Sequence, residues 1–437
     1  MSRSRSASPL SRRAFLSTGA AAAGALALGC ADRSLLAPFT QAARRFGGAP
    51  DTSGIEHIVL MMMENRSFDH LLGWLPRADG RQAGLSYTDA AGASFATFPL
   101  APDFQGCGHQ DPDHSYDGAR VEYNDGACDG WLRVNDVFSI GYYRRGDLAF
   151  LGNAAPQWAS FDRYFAAILG PTFPNRVYQH AGQTDRIENS FTVSTLPTIW
   201  DRLAAAGLDG RYYFGDVPIL GLWGEKYVGI SRPLEAFFAD CLAGTLPHVA
   251  FVDGPFLSEF AGTGFDDHPF NDVRAGEAFM NQVYRAVTTS PAWSRTVLII
   301  NFDEWGGFFD HVPPPLAPLP DADRAAGSDG RVGFRTPTLL ISPFARRAHT
   351  SHVVYDHTSI LRLIEWRWNL EPLTVRDATA NNPADELDFK NPQLLAPAYA
   401  VPPVVGLPCP GNPVLASSRR SLWAELRRAS QVRGWHV

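Results

Sequence analysis

Lysine is almost missing from this chain of 437 residues: of 38 basic side chains only Lys226 and Lys390 are lysines, and the formal net charge is −7. A net acidic protein with no basic stripe cannot neutralise a phosphate backbone, so nucleic-acid binding is excluded as a working expectation. The bias toward arginine reads first as codon composition, which leaves only individual arginines as candidates for holding an anion. Cysteine is also scarce, with five residues and no CxxC or CxxxC spacing, which argues against a cysteine-built zinc site. Beyond residue 30 no stretch approaches the roughly 20 consecutive apolar residues that span a bilayer. Neither an internal repeat nor a linker between two cores is visible.

What is present begins with an address. Ser11-Arg12-Arg13-Ala14-Phe15-Leu16 resembles a twin-arginine export signature, followed by an apolar run from Ala14 to Leu28 too short and alanine-rich for a stable span. Cys30 follows Ala27-Leu28-Gly29, a partial match to a lipoprotein processing site. The expectation is an export signal over residues 1–30, a polar linker over 31–52 and one catalytic domain with long insertions over 53–437. The expected partner is the twin-arginine machinery, and the expected location is the periplasm or the medium, with lipid anchoring at Cys30 as a further option. Cys107, Cys128, Cys241 and Cys409 would then meet an oxidising compartment. Three pairings are open, and Cys107 with Cys128, the shortest loop, is the mild preference.

Ile55-Glu56-His57-Ile58-Val59-Leu60-Met61-Met62-Met63 is nearly continuous apolar sequence, as in a strand buried on both faces of a parallel sheet. Similar runs recur at His248 to Val252, Thr296 to Phe302 and Thr338 to Ile341, and helical patterns at Thr198 to Ala206, Ala275 to Thr288 and Thr358 to Trp368 alternate with them. That order predicts an α/β fold, a central mostly parallel sheet flanked by helices on both faces. Asp89 to Gly130 reads as a long insertion near the sheet edge, and Val312 to Gly330 and Ala396 to Pro413 as loops.

In such a sheet ligands gather at the carboxyl ends of the strands. The first strand runs into Glu64-Asn65-Arg66-Ser67-Phe68-Asp69-His70, and the run ending at Phe302 continues into Asp303-Glu304-Trp305-Gly306-Gly307 with Asp310-His311 beyond. Oxygen donors at the tips of two buried strands suit a hard divalent cation. The alternative readings are a helix N-cap for Glu64-Asn65 and a solvated turn for Asp303-Glu304. Gly170-Pro171-Thr172-Phe173-Pro174-Asn175-Arg176 puts a hydroxyl just before a proline that fits a first helical turn, a place where backbone N–H groups can meet a phosphate. An ordinary N-cap role for Thr172 is the alternative there.

Together with Asp266-Asp267-His268-Pro269 and Tyr355-Asp356-His357-Thr358-Ser359, these motifs stand in an order that resembles the bacterial phospholipase C and acid phosphatase phosphoesterase family, which has the alkaline-phosphatase-like fold. The resemblance spans residues 55 to about 368. It implies one or two divalent metal ions held by Glu64, Asn65, Asp303, Glu304 and Thr172, with the Thr172 hydroxyl as nucleophile. It implies that His114, His268 or His357 protonates the leaving alcohol, and that Asn175, Arg176 and His311 contact substrate. For Arg176, a bracing role through a buried carboxylate is equally open. Thr172-Phe173-Pro174-Asn175-Arg176 also echoes the Cys/Ser-x-Pro-x-Arg pattern of sulfatases, but threonine lacks the primary carbon that is oxidised to formylglycine there.

Threonine as nucleophile favours phospholipase-C-like cleavage of a phosphodiester or phospholipid, since the acid phosphatases of the family commonly use serine. A broad-specificity acid phosphatase on monoesters is the runner-up, and a noncatalytic exported metal- or phosphate-binding protein the third reading. The sequence after His357 is too short for the C-terminal β domains of larger relatives, so membrane contact rests on a lipid anchor or on a lipid substrate. Trp131, Trp223, Trp305, Tyr142 and Tyr143 are candidates for an aromatic cage around a choline headgroup, with core packing as the competing role.

Overall fold

The structure is a computed structural model that describes residues 50–409 and 415–437. The export motif, Cys30 and residues 31–49 of the expected linker lie outside the described residues. No helix among those described is long and apolar enough to cross a membrane.

The apolar runs form the expected strands. β1 (His57–Met63) lies at the centre, and the chain then supplies α1 (Tyr116–Tyr123), β2 (Ala159–Phe161), α2 (Thr172–Ala181), α3 (Ile199–Ala205), β3 (Gly210–Phe214), β4 (Ser231–Pro233), α4 (Leu234–Ala243), β5 (Val249–Asp253), α5 (Val273–Thr288), β6 (Thr296–Phe302), β7 (Leu339–Ile341), β8 (His349–Ser351), α6 (His357–Trp368) and α7 (Leu415–Val432). One eight-stranded sheet results, in the order β8-β2-β7-β6-β1-β5-β3-β4. β7 runs antiparallel to β6 and β2, and the remaining pairs are parallel. Successive residues of a strand point to opposite faces. Every residue of β6 is buried, so both faces at the centre of the sheet are covered, which is why that strand tolerates no polar alternation.

Register places the chemistry. Met63 pairs with Phe302, and Met62 pairs with both Asp253 and Asn301. The carboxyl tips of β1, β5 and β6 therefore end at one level, and Glu64, Asp253 and Asp303 emerge side by side. α2 begins at the same rim, N-capped by Pro171, with Pro174 inside the first turn, where a missing N–H costs no intrahelical bond. Its C-terminus stops at Gly182 in the left-handed conformation.

Two expectations change here. The insertion is not a sheet-edge decoration. Trp131, Leu132, Tyr142 and Cys128 from it and the following segment pack with Trp305, Phe309 and Phe334 into a second small core, so it roofs the loop that follows β6. Trp305 Nε1 donates to Glu122 on α1 at 2.8 Å, which ties the two together. A short helix, Asp321–Ala326, also interrupts the expected loop 312–330.

The cysteine preference is overturned. Cys107 is joined to Cys409, 302 residues away, while Cys128 is a free thiol buried in the second core and Cys241 a free thiol buried in the main one. Loop length was a poor guide because Cys128 faces inward under the roof. Peptide mapping without reduction is expected to link the Cys107 and Cys409 peptides. Replacing both by serine should lower unfolding free energy by about 2–4 kcal/mol in urea titrations, from loss of a long-range tether; an unchanged midpoint would show that the bridge contributes nothing.

Candidate active site

Glu64, Asn65, Thr172, Asp303 and Glu304 meet at the carboxyl end of the sheet, all buried. Neither alternative reading of the acidic pairs holds. The helix after β1 is N-capped by Ser67, not by Glu64 or Asn65, and Asp303 and Glu304 are sealed from solvent. Nor is Thr172 an N-cap: Pro171 takes that position, and the Thr172 hydroxyl is directed at Glu64 Oε2, 3.5 Å away.

The loops are laced together by backbone bonds. Glu64 N–H donates to the Asp266 carbonyl, Arg66 N–H to the Glu304 carbonyl and Asp303 N–H to the Met63 carbonyl. Asp303 Oδ1 accepts the N–H groups of both Asn65 and Glu304. Asn65 sits at φ 48°, a left-handed conformation that asparagine tolerates. The loop after β6 approaches it so closely that a Cβ on Gly306 would stand 2.2 Å from the Asn65 carbonyl oxygen, which accounts for glycine there.

Arg176 is the cation of the site. Its Nε donates to Glu64 Oε1 at 2.8 Å and its Nη1 to Asp253 Oδ1 at 2.8 Å, and Asp303 Oδ2 lies 3.4 Å from Nε. Burial pushes the Glu64 carboxyl well up, against the pull of Arg176, and lifts Asp303 to about 6 by the same opposition. Glu304 is raised by burial and then by Asp303 beside it. Three oxygens here accept no hydrogen bond: Asn65 Oδ1, Asp303 Oδ2 and Glu304 Oε1. Buried oxygens without donors, beside carboxylates that resist ionisation, are the donor set a divalent cation satisfies, so the residues present fit a metal.

The histidines separate. His114 Nε2 lies 3.4 Å from Asn65 Nδ2 and 3.9 Å from Glu304 Oε1, and its ring is 6.2 Å from that of His268. His357 is different. Its Nε2 bonds to the Asp303 carbonyl at 2.7 Å, its Nδ1 faces Tyr164 Oη, and burial lowers its pKa to about 4. A neutral imidazole with both nitrogens engaged braces the tip of β6, in place of the proton delivery expected of it.

The expected substrate contacts also change role. The Asn175 side chain is consumed by its own loop, accepting from Ile168 N–H and donating to the carbonyls of Ile168, Gly170 and Pro171. Arg176 is spent on carboxylates. His311 lies in another network, its Nδ1 on Asp69 and its Nε2 on Asp79, with Arg335 alongside. The aromatic cage is not formed: Trp131, Trp223, Trp305, Tyr142 and Tyr143 are all core residues. Asp253 and Glu259 were missed by sequence reasoning. Asp253 was findable, as a carboxylate at the end of a third buried strand; Glu259 had no signal, and only the fold brings it within 4.0 Å of His268.

Replacing Arg176 by alanine should cost about 3–5 kcal/mol of unfolding free energy at pH 7 in chelator, because it strands three buried carboxylates. The loss should be smaller at pH 5. Carboxyls raised above their unfolded values bind more protons in the folded state, so the stability of the variant falls as pH rises. Urea unfolding at both pH values checks this, and an equal loss at each would refute the electrostatic origin.

Comparison with known proteins identifies the family. The model of the Phosphoesterase family matches residues 55–371. Phospholipase C B of Mycobacterium tuberculosis is 32% identical over 464 residues, covering 88% of this chain and 86% of that protein. Non-specific phospholipase C1 of Arabidopsis thaliana is 30% identical over 370 residues, covering 75% of this chain and 69% of its own length. Among solved structures, a protein of the alkaline phosphatase superfamily from Vibrio parahaemolyticus aligns over 97% of both chains with a TM-score of 0.42 and 11% identity, too distant to add to the argument. The chain belongs to the phosphoesterase family and is a phosphoric ester hydrolase.

Proposed function

We propose that the protein is an exported, divalent-metal-dependent phosphodiesterase of phospholipase C type whose nucleophile is the Thr172 hydroxyl. The observation that carries this reading is the position of Thr172: at the N-terminus of α2, directed at Glu64, beside three buried oxygens that lack donors. Held by Glu64, Asn65, Asp303, Glu304 and Thr172, a divalent cation supplies the positive charge that makes a threonine hydroxyl acidic enough to react.

The chain's own residues do the rest. Glu64 Oε2 is placed to take the hydroxyl proton as Thr172 Oγ1 attacks phosphorus. The bond from phosphorus to the leaving oxygen breaks, leaving Thr172 esterified to the phosphate that still carries the second ester group, and water then releases that phosphomonoester and restores the hydroxyl. The first turn of α2 presents the positive end of the helix dipole to this side of the site, while its Phe173 N–H is taken by Asn189 Oδ1 at 2.8 Å and Pro174 has no N–H to offer. His114 and His268 stand on the remaining side, where the leaving oxygen must be met by positive charge or a proton. Arg176, Asn175 and His357 hold the frame.

Diester preference is supported by the names of the relatives at about 30% identity and by threonine in the nucleophile position. Export is supported by the twin-arginine motif at residues 11–16, and anchoring to a membrane by Cys30.

Hydrolysis of nitrophenyl phosphorylcholine and nitrophenyl phosphate by metal-loaded protein tests the reading. The diester should be preferred, and Thr172→Ala should lower kcat by at least about a thousandfold while leaving the fold intact. A preference for the monoester would move the protein to the phosphatase branch, and activity retained in Thr172→Ala would remove the nucleophile assignment.

A further inference from the structure

His268 is carried by a turn that does not hold itself. Asp267 and Phe270, on either side of it, sit at φ 77° and φ 87°. That left-handed region costs a residue with a side chain about 1–3 kcal/mol and persists only where the surroundings impose it. Asp266 imposes it here. Its Oδ1 accepts the His268 N–H at 3.0 Å and a donor from the Asn271 side-chain amide, whose own oxygen accepts the Gly264 N–H at 2.9 Å. The His268 ring is oriented within the turn by Nδ1, which donates to the Pro269 carbonyl at 2.9 Å. A carbonyl only accepts, so a proton given up by this imidazole leaves from Nε2.

Asp266 is fixed in turn by Glu259. Both side chains are buried and hydrogen-bond each other. Glu259 Oε1 and Asp266 Oδ2 are the two oxygens of the pair that no donor of another residue reaches among the described residues. Carboxylate oxygens only accept, so a bond between them requires one proton between them. Burial, and next the charge of Asp266, push Glu259 well above the carboxylate range, so the proton is its own. The other oxygen of Glu259, Oε2, accepts Trp423 Nε1 of α7 at 2.7 Å and faces His268 Nε2 at 4.0 Å. The indole is itself clamped, stacked on Phe256 at 4.4 Å and set edge-on to Phe173 at 5.3 Å.

We propose that Glu259, as a neutral carboxyl joining Trp423 of α7 to Asp266, is a positioning residue that holds His268 at the leaving oxygen. The inference rests on the hydrolase reading above and deepens its leaving-group side. As the bond from phosphorus to the leaving oxygen breaks, its electron pair stays on that oxygen and the Nε2 proton of His268 passes to it. Glutamine is the isostere of a neutral glutamic acid: its oxygen accepts from the indole and its amide donates to Asp266.

The test follows kcat/KM of metal-loaded, full-length protein on aryl phosphorylcholines from nitrophenyl to phenyl, since a poorer leaving group needs the proton more. Glu259→Ala should lose at least about a hundredfold on the phenyl ester and less than about tenfold on the nitrophenyl ester. Glu259→Gln should stay within about threefold of wild type on both. Trp423→Phe, which keeps the stacked ring and removes the N–H, should lose more on the phenyl than on the nitrophenyl ester. Equal losses on the two esters, Glu259→Gln as impaired as Glu259→Ala, or full activity in Glu259→Ala overturns the proposal. If Glu259→Ala does not fold, the other two variants decide by the same comparison, and aryl phosphates replace the series if wild type prefers monoesters. Thr172→Ala separates the two claims. Its retained activity would sink the nucleophile and leave the leaving-group comparison in force, whereas Thr172-dependent turnover with one leaving-group profile in every variant would sink only the role of Glu259.

Discussion

A single guanidinium holds the site in register. Arg176 reaches from α2 to Glu64, Asp253 and Asp303, the residues at the tips of three neighbouring parallel strands, so the helix carrying Thr172 is locked to β1, β5 and β6 at once. Like charges gathered at the end of a sheet repel, and burial makes Glu64 and Asp303 harder to ionise. One fixed cation does not neutralise three carboxylates. The residual charge is what a divalent cation held as proposed would remove. Arginine suits the position because its planar fork meets several carboxylates from a fixed geometry, which a lysine ammonium would not do.

Much of this was legible from the chain alone, for a physical reason. Buried parallel strands need uninterrupted apolar sequence, and the polar residue that ends each run marks the strand tip, so Glu64 and Asp303 announce themselves as candidate ligands. Pro174 in the first turn of α2 marks the helix start and with it Thr172. What was not legible depends on side-chain partners that have no sequence spacing. Asn175 and Arg176 sit inside the motif but point into the frame, because a sharp loop and a charged strand rim each need a donor more than an outer surface does. Cys409 meets Cys107 because its segment is seated on the loop at Ala261, to whose carbonyl the Cys409 N–H donates, a contact with no sequence spacing to announce it. Of the aromatic residues proposed for a headgroup, Trp131, Tyr142 and Trp305 instead glue the insertion onto the loop after β6, and Trp223 and Tyr143 belong to the main core.

That insertion has a further consequence. By packing Trp131 and Trp305 against Phe334, it turns an exposed strand-tip loop into a wall, and the same chain segment delivers Asp111 and His114 to the rim. Roof and site wall are thus one element. Phosphoryl transfer gains chiefly from positioned charge in a place shielded from water. A roof stiffened by its own small core, and tied to the C-terminal segment through Cys107 and Cys409, contributes to that shielding.

The C-terminal helix completes the enclosure from below. Trp423 of α7 donates to Glu259 Oε2 at 2.7 Å, stacks on Phe256 at 4.4 Å and meets the Phe173 ring at 5.3 Å. Phe173 follows Thr172 directly, and Phe256 lies under the Arg176 guanidinium at 4.8 Å. One indole therefore supports Phe173, the face of the site's cation and the carboxyl group beside His268. Because packed aromatic contacts of this kind admit few alternative arrangements, helix α7 helps fix the angle at which the start of α2 addresses Glu64, and the Thr172 hydroxyl inherits its aim from residues some 250 positions away in sequence.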